Sequence, residues 1–597
     1  MAEGEPDPGT VIGSFLDRAA QRGSQPLWYH QIDSRWLPIS WESARSEVVR
    51  LAAGLASIGI APGERVGLIG PNRPEWVIAD YAIQHVGGVV VPIYATSPPD
   101  QIAHILTTTE ARVCIAYGDE PLGKIREADV PGLQTVVVLH WGDEEHGRFL
   151  GSNALRRRGE VWVNENPEGL ADRLAGIDAE QIATVIFTSG TGDEPKGAVL
   201  SHRNLIWTAD STARAVGARA KEKTLSFLPL SHAFERVVTT VLPLVPATQR
   251  WTCWFVEELE DLPAALRSVR PTVFIAVPVV WIRMQDRIQT EMQSLWVGRR
   301  LLAQMALSAG EMSARHREQG WAVLPSTRMA GSSARVLGRR VLKKVGLGRC
   351  WYAVSGAAAL PGITQGFFQA LGLPLQQGWG LTETAALCTV QRRNDFELGV
   401  VGEPLEGVEL RLGEDEEVLV RGPNVFTGYE AEPALSAAVF DEEGFFHTGD
   451  VGHLTEDGRL VIIDRLNDVI ITAGGRSIAP RPIESKLTSD PLISGVMVLG
   501  EGRAYLAALI SLDSREASNL VGEGRTDEQG LWEHPKVHQR VERAVAVVNR
   551  SLSDPEQIHR FAILPFGFPD EALTPSMKLK RRVVESTFSE LIESLYA

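Results

Sequence analysis

The hydrophobic positions of this chain alternate between two textures over residues 41–115. Stretches with apolar residues at helical spacing, 43–58 and 76–85, are each followed by a short continuous apolar run, 65–69 and 89–94. The spacing predicts helices for the first kind and buried strands for the second, the βαβ repeat of a parallel sheet. Further apolar runs at 184–187, 224–227, 272–276 and 352–354 each end in a polar or glycine-rich turn. A parallel sheet with helices on both faces accommodates them all.

After about residue 397 the pattern changes to short strands and turns, at 407–412, 417–421 and 458–463, which predicts a small β-rich subdomain. Beyond residue 464 a third texture begins, with a helix opening at 482–487, strands near 494–499 and 504–510, and a long helical stretch around 536–552. The pattern divides the chain into a large domain, 1–464, and a small α+β C-terminal domain, 465–597.

At 597 residues the chain exceeds what one hydrophobic core organises, which agrees with that division. A net charge of −16 argues against a whole-surface affinity for nucleic acid or anionic lipid. One stretch departs from this balance: residues 299–349 are strongly basic, with only Glu311 and Glu318 as acids, and read either as a solvated helical face or as a contact for membrane or a coenzyme phosphate. Cys114, Cys253, Cys350 and Cys388 form no paired motif, so neither zinc nor a disulfide framework is indicated and a reducing compartment fits. The acidic first residues lack the apolar segment of a secretory signal. The longest apolar run, 273–282, is too short to span a bilayer and contains Pro278. The expectation is a cytoplasmic protein, soluble or peripheral to a membrane, with a homodimer compatible with the pattern.

The sharpest chemical feature follows the run ending at Phe187: Thr188-Ser189-Gly190-Thr191-Gly192-Asp193-Glu194-Pro195-Lys196-Gly197. Glycines let backbone N–H groups converge on phosphate oxygens, hydroxyls add donors, and Lys196 adds a positive charge. It is not a Walker A loop, because Pro195 precedes the lysine and Gly197 follows it. A second segment, Gln377-Gly378-Trp379-Gly380-Leu381-Thr382-Glu383-Thr384, sets an indole between glycines, where it offers a stacking face for a purine. Glu383 is placed to hold a magnesium ion on phosphates.

With these motifs the sequence resembles the adenylate-forming superfamily of acyl-CoA synthetases, firefly luciferases and peptide-synthetase adenylation domains, over residues 16–594. The resemblance implies an α/β fold with two parallel-rich αβ layers and a β-rich subdomain in the large domain, and a small, mobile C-terminal domain. It implies that Thr188, Ser189, Gly190, Thr191 and Lys196 grip the phosphates of ATP, with Thr188 and Glu383 on magnesium. Ser355, Gly356 and Ala357 then line the adenine and acyl pocket, and Gly378, Trp379, Gly380 and Thr382 belong to the adenine and magnesium segment. Asp450, in His447-Thr448-Gly449-Asp450, and Arg465 take the ribose hydroxyls. Lys578, in Leu573-Thr574-Pro575-Ser576-Met577-Lys578, is the implied catalytic lysine, stabilising charge at the α-phosphorus.

Within the superfamily the nearest likeness is to long-chain fatty acyl-CoA synthetases, through Leu228-Pro229-Leu230-Ser231-His232-Ala233-Phe234-Glu235-Arg236 and the basic stretch before Trp351. There His232 and Phe234 border the acyl pocket and the coenzyme tunnel. The implied substrates are a fatty acid, ATP and coenzyme A, with acyl-AMP between the two half-reactions. A rotation about Asn467 would withdraw Lys578 and present Gly474-Gly475 for thioester formation. Two segments depart from the family pattern: Gly192 and Asp193 replace a threonine and a glycine in the phosphate loop, and Asn467 stands where Lys or Asp is usual. The alternatives are a fatty acyl-AMP ligase or carrier-protein loading enzyme, and a non-catalytic acyl- or nucleotide-binding homologue.

Overall fold

In the computed structural model, which describes residues 9–188, 195–293, 338–393, 397–522, 531–564, 567–573 and 579–597, the predicted apolar runs become strands of three sheets. The largest has nine strands. Ile182–Thr188, Val89–Ile93, Arg65–Ile69, Val113–Ala116 and Thr135–Val138 run parallel through its middle, so their residues are buried on both faces and read as unbroken apolar segments. Helices Trp41–Ser57 and Pro74–His85 pack beside it. The first is started by Ser40, whose side chain accepts the N–H of Ser43, and the second by a proline at its first position.

A five-stranded sheet aligns Val273–Ala276, Tyr352–Ser355 and Leu375–Trp379 in parallel, then adds two short antiparallel strands. The apolar run 273–282 is split here: the strand ends at Ala276, and Pro278 opens the helix Pro278–Gln293. A four-stranded sheet joins Lys221–Ser226, Arg250–Phe255 and Pro26–Ile32 in parallel and ends on the antiparallel edge strand Arg35–Ser40.

Between the sheets a buried ion pair crosslinks three elements. Arg236 Nη2 lies 2.5 Å from Asp80 Oδ1, the side chains are 1% and 0% exposed, and Arg236 also donates to the hydroxyl of Thr184. Asp80 further accepts from Gln84 at 3.0 Å, so each charge has polar partners.

The β-rich subdomain is a four-stranded antiparallel sheet of Glu409–Leu412, Glu417–Arg421, Phe446–Leu454 and Leu460–Arg465. Phe446–Leu454 is a strand that the apolar pattern did not announce, because its residues include His447, Thr448, Gly449 and Asp450. Past the 3₁₀ turn Leu466–Asp468, which carries Asn467, a separate core forms. There Ile493–Leu499, Leu506–Leu512 and Ile558–Leu564 make a sheet covered by the helices Pro480–Leu487 and Pro535–Asn549 through Ile483, Leu487, Val537 and Val541. All four cysteines are free, and no helix among the described residues is long and apolar enough to cross a membrane.

Candidate active site

Thr188, Ser355 and Gly378 sit at or near the C-terminal ends of parallel strands, where open α/β sheets place ligands, while Asp450 and Arg465 come from the antiparallel subdomain sheet. Thr188 ends its strand and is the register partner of Lys196 across the turn, with its hydroxyl 3.4 Å from the Lys196 carbonyl. Ser355 ends Tyr352–Ser355, level with Ala276 and Gln377 on the flanking strands. Gly356 comes next, and a Cβ there would lie 3.6 Å from the Gly378 carbonyl and 3.7 Å from the Phe234 ring, which brings three of the expected segments together. Ala357 has a φ of +69°, a turn that redirects the chain away from the strand.

Ser189, Gly190, Thr191 and Lys578 lie outside the described residues, as do Gly192, Asp193 and the part of the basic stretch up to residue 337.

Trp379 is only 8% exposed and packs into the main core. Its N–H donates to Asp450 Oδ2 at 2.7 Å. Asp450 Oδ1 meets Arg465 Nε at 2.8 Å, and the two residues are register partners on adjacent strands. Upstream, Glu417 accepts the Gly449 N–H at 2.8 Å and lies 2.7 Å from His447 Nδ1, which fixes the corner that aims Asp450. Gly380 is required by close approach: a Cβ there would come within 2.4 Å of the Ala386 carbonyl oxygen.

Thr382 opens the 3₁₀ turn Thr382–Thr384, and Glu383 Oε1 accepts the hydroxyl of Tyr429 at 2.8 Å. Tyr429 is itself the register partner of Ala198, two residues beyond Lys196. The phosphate-side strand and the Glu383 turn are thereby tied through one phenol. Burial, then the neighbouring Glu383 carboxylate, pushes the Tyr429 pKa well up, which keeps the phenol a donor. His232 caps the helix Ala233–Arg236, its Nδ1 accepting the Phe234 N–H at 3.2 Å, and the chain continues into a π-helical turn, Val237–Val241.

Comparison with known proteins places this arrangement. The AMP-binding enzyme model matches residues 16–430, and the AMP-binding enzyme C-terminal domain matches residues 467–597. The chain belongs to the AMP-binding enzyme family. Its sequence is 33% identical to the long-chain-fatty-acid–CoA ligase FadD15 of Mycobacterium tuberculosis, over 96% of this chain and 94% of that one. It is 26% identical to the long-chain-fatty-acid–CoA ligase ACSBG2 of Gallus gallus, over 100% of this chain and 82% of that one. In fold it is similar to the adenylation domain of a carboxylate reductase from Mycobacterium chelonae, with a TM-score of 0.75 at 21% identity, covering 98% of this chain and 91% of that one.

For an AMP-binding enzyme the side chains fit a nucleotide. Each Asp450 oxygen has one protein donor and room for another, enough for two hydroxyls. The Ser355 hydroxyl is buried at 1% exposure with no protein partner, a polar atom aimed where the strand ends converge. Among the described residues no cluster of three His, Cys, Asp or Glu could hold a metal alone. Glu383 as a single carboxylate therefore suits magnesium, which takes one or two carboxylates and completes its shell with phosphate oxygens and water.

Sequence reasoning missed Tyr429, Glu417 and Asn72. Asn72 accepts the Leu230 N–H at 3.1 Å and donates to the Leu228 carbonyl, which pins the segment leading to His232. No spacing points to them, since their partners are 46, 30 and more than 150 residues away. Asp464, just before the interdomain turn, was also unmarked. It is 0% exposed, accepts the N–H groups of Arg465 and Arg481 at 2.8 Å, and faces the Arg481 guanidinium at 3.3 Å. Burial pushes its pKa up to about 6 against the pull of those N–H groups and of Arg481.

Proposed function

We propose that the protein is an ATP-dependent acid–thiol ligase that forms acyl-CoA from a fatty acid of the long-chain class. The carboxylate attacks the α-phosphorus of ATP, forming an acyl-AMP and releasing pyrophosphate; the coenzyme A thiol then attacks the acyl carbon and AMP leaves. The observation that carries the nucleotide half is the Asp450 corner, a carboxylate held on each oxygen by Trp379 and Arg465 with acceptor capacity left for a ribose. The fatty substrate is supported by the whole-length likeness to FadD15.

In this reading Thr188 and Lys196, with residues 189–191, grip the phosphates, and Ser355 to Ala357 with Gly378 to Gly380 and Thr382 line the adenine and acyl pocket. Glu383 and Thr188 would hold a magnesium ion, which would neutralise charge on the phosphates. His232 and Phe234 border the acyl path, and Lys578 stabilises charge at the α-phosphorus. The family model's division after residue 430 and before 467 supports a small domain that rotates about Asn467 between the two half-reactions.

The test is incubation of the purified protein with ATP, magnesium and coenzyme A across acetate, octanoate, palmitate and an aryl acid. Palmitoyl-CoA formed with one pyrophosphate per thioester supports the reading. Pyrophosphate without thioester identifies an adenylate-forming ligase with another acceptor, and no pyrophosphate with any acid identifies a binding protein.

A further inference from the structure

Tyr429 and Glu383 meet on one face of the strand pair that frames the phosphate loop, and the other face is held by different means. Side chains alternate across Ile182–Thr188 and Lys196–Ser201. Ile186 and Ala198 therefore join the main core on Tyr429's side, whereas Val185, Phe187 and Val199 turn into a second core. The helix Pro99–Thr108 covers that second core through Ile102, Ile105 and Leu106. His104 stands on the same helix, half-buried, and reaches the chain on both sides of the loop. Its ring meets the Phe187 ring edge-on with centroids 6.2 Å apart, one residue before Thr188. Its Nε2 lies 3.3 Å from the carbonyl oxygen of Pro195, one residue before Lys196. A carbonyl oxygen only accepts, so Nε2 carries the hydrogen and donates it.

Gly197 lets Phe187 come in close, since a Cβ there would lie 3.1 Å from the Phe187 ring and 2.7 Å from Val185. Beyond that contact the packing stops. A cavity of about 280 Å³ opens among His104, Thr108, Phe187, Pro195 and Gly197, so close packing does not fix the Pro195 end of the loop from this side. The His104 hydrogen bond does. The Pro195–Lys196 peptide is trans, and a carbonyl drawn toward the helix turns the N–H of Lys196 away from it. One imidazole thus sets the direction in which the chain enters Lys196.

We propose that His104 is a positioning residue for the nucleotide half-reaction: it ties Phe187 to Pro195 and so presents Lys196 to the triphosphate. This role rests on the ligase reading given above. His104→Phe keeps a ring against Phe187 and deletes the donor, whereas His104→Gln keeps a donor near the place of Nε2. With palmitate and magnesium, His104→Phe should raise the ATP Michaelis constant for pyrophosphate release by on the order of tenfold, the worth of one hydrogen bond, and His104→Gln should restore most of it. The Michaelis constant for palmitate should stay at its native value in both variants. So should thioester formation from supplied palmitoyl-AMP and coenzyme A, a step that uses no triphosphate. An unchanged ATP dependence in His104→Phe, no recovery in His104→Gln, or an equal loss in both half-reactions overturns the proposal. A native protein that binds no ATP in calorimetry sinks the nucleotide reading and this role of His104 together, whereas ATP binding that is equally tight in native protein and His104→Phe sinks the role alone.

Discussion

The Arg236–Asp80 and Arg465–Asp450 pairs both bring a guanidinium onto a carboxylate, at 2.5 and 2.8 Å. Around the first, everything is closed: side-chain exposures are 1% and 0%, and Thr184 and Gln84 take up further hydrogen-bonding capacity. Around the second the arginine is 34% exposed and the aspartate 6%, and each carboxylate oxygen has one of these two donors, Arg465 or Trp379. The same chemistry is a sealed crosslink in the first case, whereas in the reading proposed above the second, whose arginine is partly exposed, would hold a ligand.

The sharpest way to break this contrast is Arg236→Ala, which leaves Asp80 buried without its cation. It should cost about 3–5 kcal/mol, read as a lower urea midpoint of the large domain. Next comes Glu235, beside Arg236 in sequence and 2% exposed, which shows what burial does when hydrogen bonds from Ser226, Thr239 and Leu228 are the stabilising partners. Burial pushes its pKa up to about 7. Because the folded value is raised, the stability tied to its proton is present at low pH and is lost as pH climbs through 7. Glu235→Gln should therefore remove a decline of about 3 kcal/mol between about pH 5 and pH 8, measured by denaturation at each pH.

Asp450→Ala should lower kcat/KM for ATP about 100-fold, through two lost charge-assisted hydrogen bonds. Its urea midpoint should stay near that of the native protein; a fall as large as that of Arg236→Ala would erase the distinction between the pairs. Trp379→Phe keeps the ring and deletes the N–H that steadies Asp450. It should raise the ATP Michaelis constant about tenfold and shrink the preference for ATP over 2′-deoxy-ATP, a ratio that general loosening of the core would not move. The smallest effect is expected from Tyr429→Phe: a severalfold rise in the magnesium concentration needed for nucleotide binding, followed by calorimetry, with saturating magnesium restoring affinity.

Much of this was legible in the chain itself, and for a definite reason. Parallel strands such as Ile182–Thr188 and Tyr352–Ser355 are largely buried on both faces, so they appear as unbroken apolar runs, and the motif residues lie at their ends. Edge and site strands escape that logic. Phe446–Leu454 carries the polar residues His447, Thr448 and Asp450, and Arg35–Ser40, a strand with exposed or half-buried positions, lies at a sheet edge. Pairings between distant segments escape it as well. Tryptophan between two glycines suggests an open aromatic face, yet the side chain is packed in and acts through its nitrogen on a residue 71 positions later. Only the third dimension shows which atom of a side chain is the useful one.

Tyr429 hangs from a strand laced to the one that begins at Lys196, and its phenol reaches Glu383. The strand that begins at Lys196 and the Thr382–Thr384 turn are thus bolted to a common bracket, all of it before residue 467. In the reading proposed above, a swing of the C-terminal body would bring chemistry to a magnesium ion held there without a lever on the seat's shape, so metal affinity and catalytic commitment would be set by separate parts of the molecule.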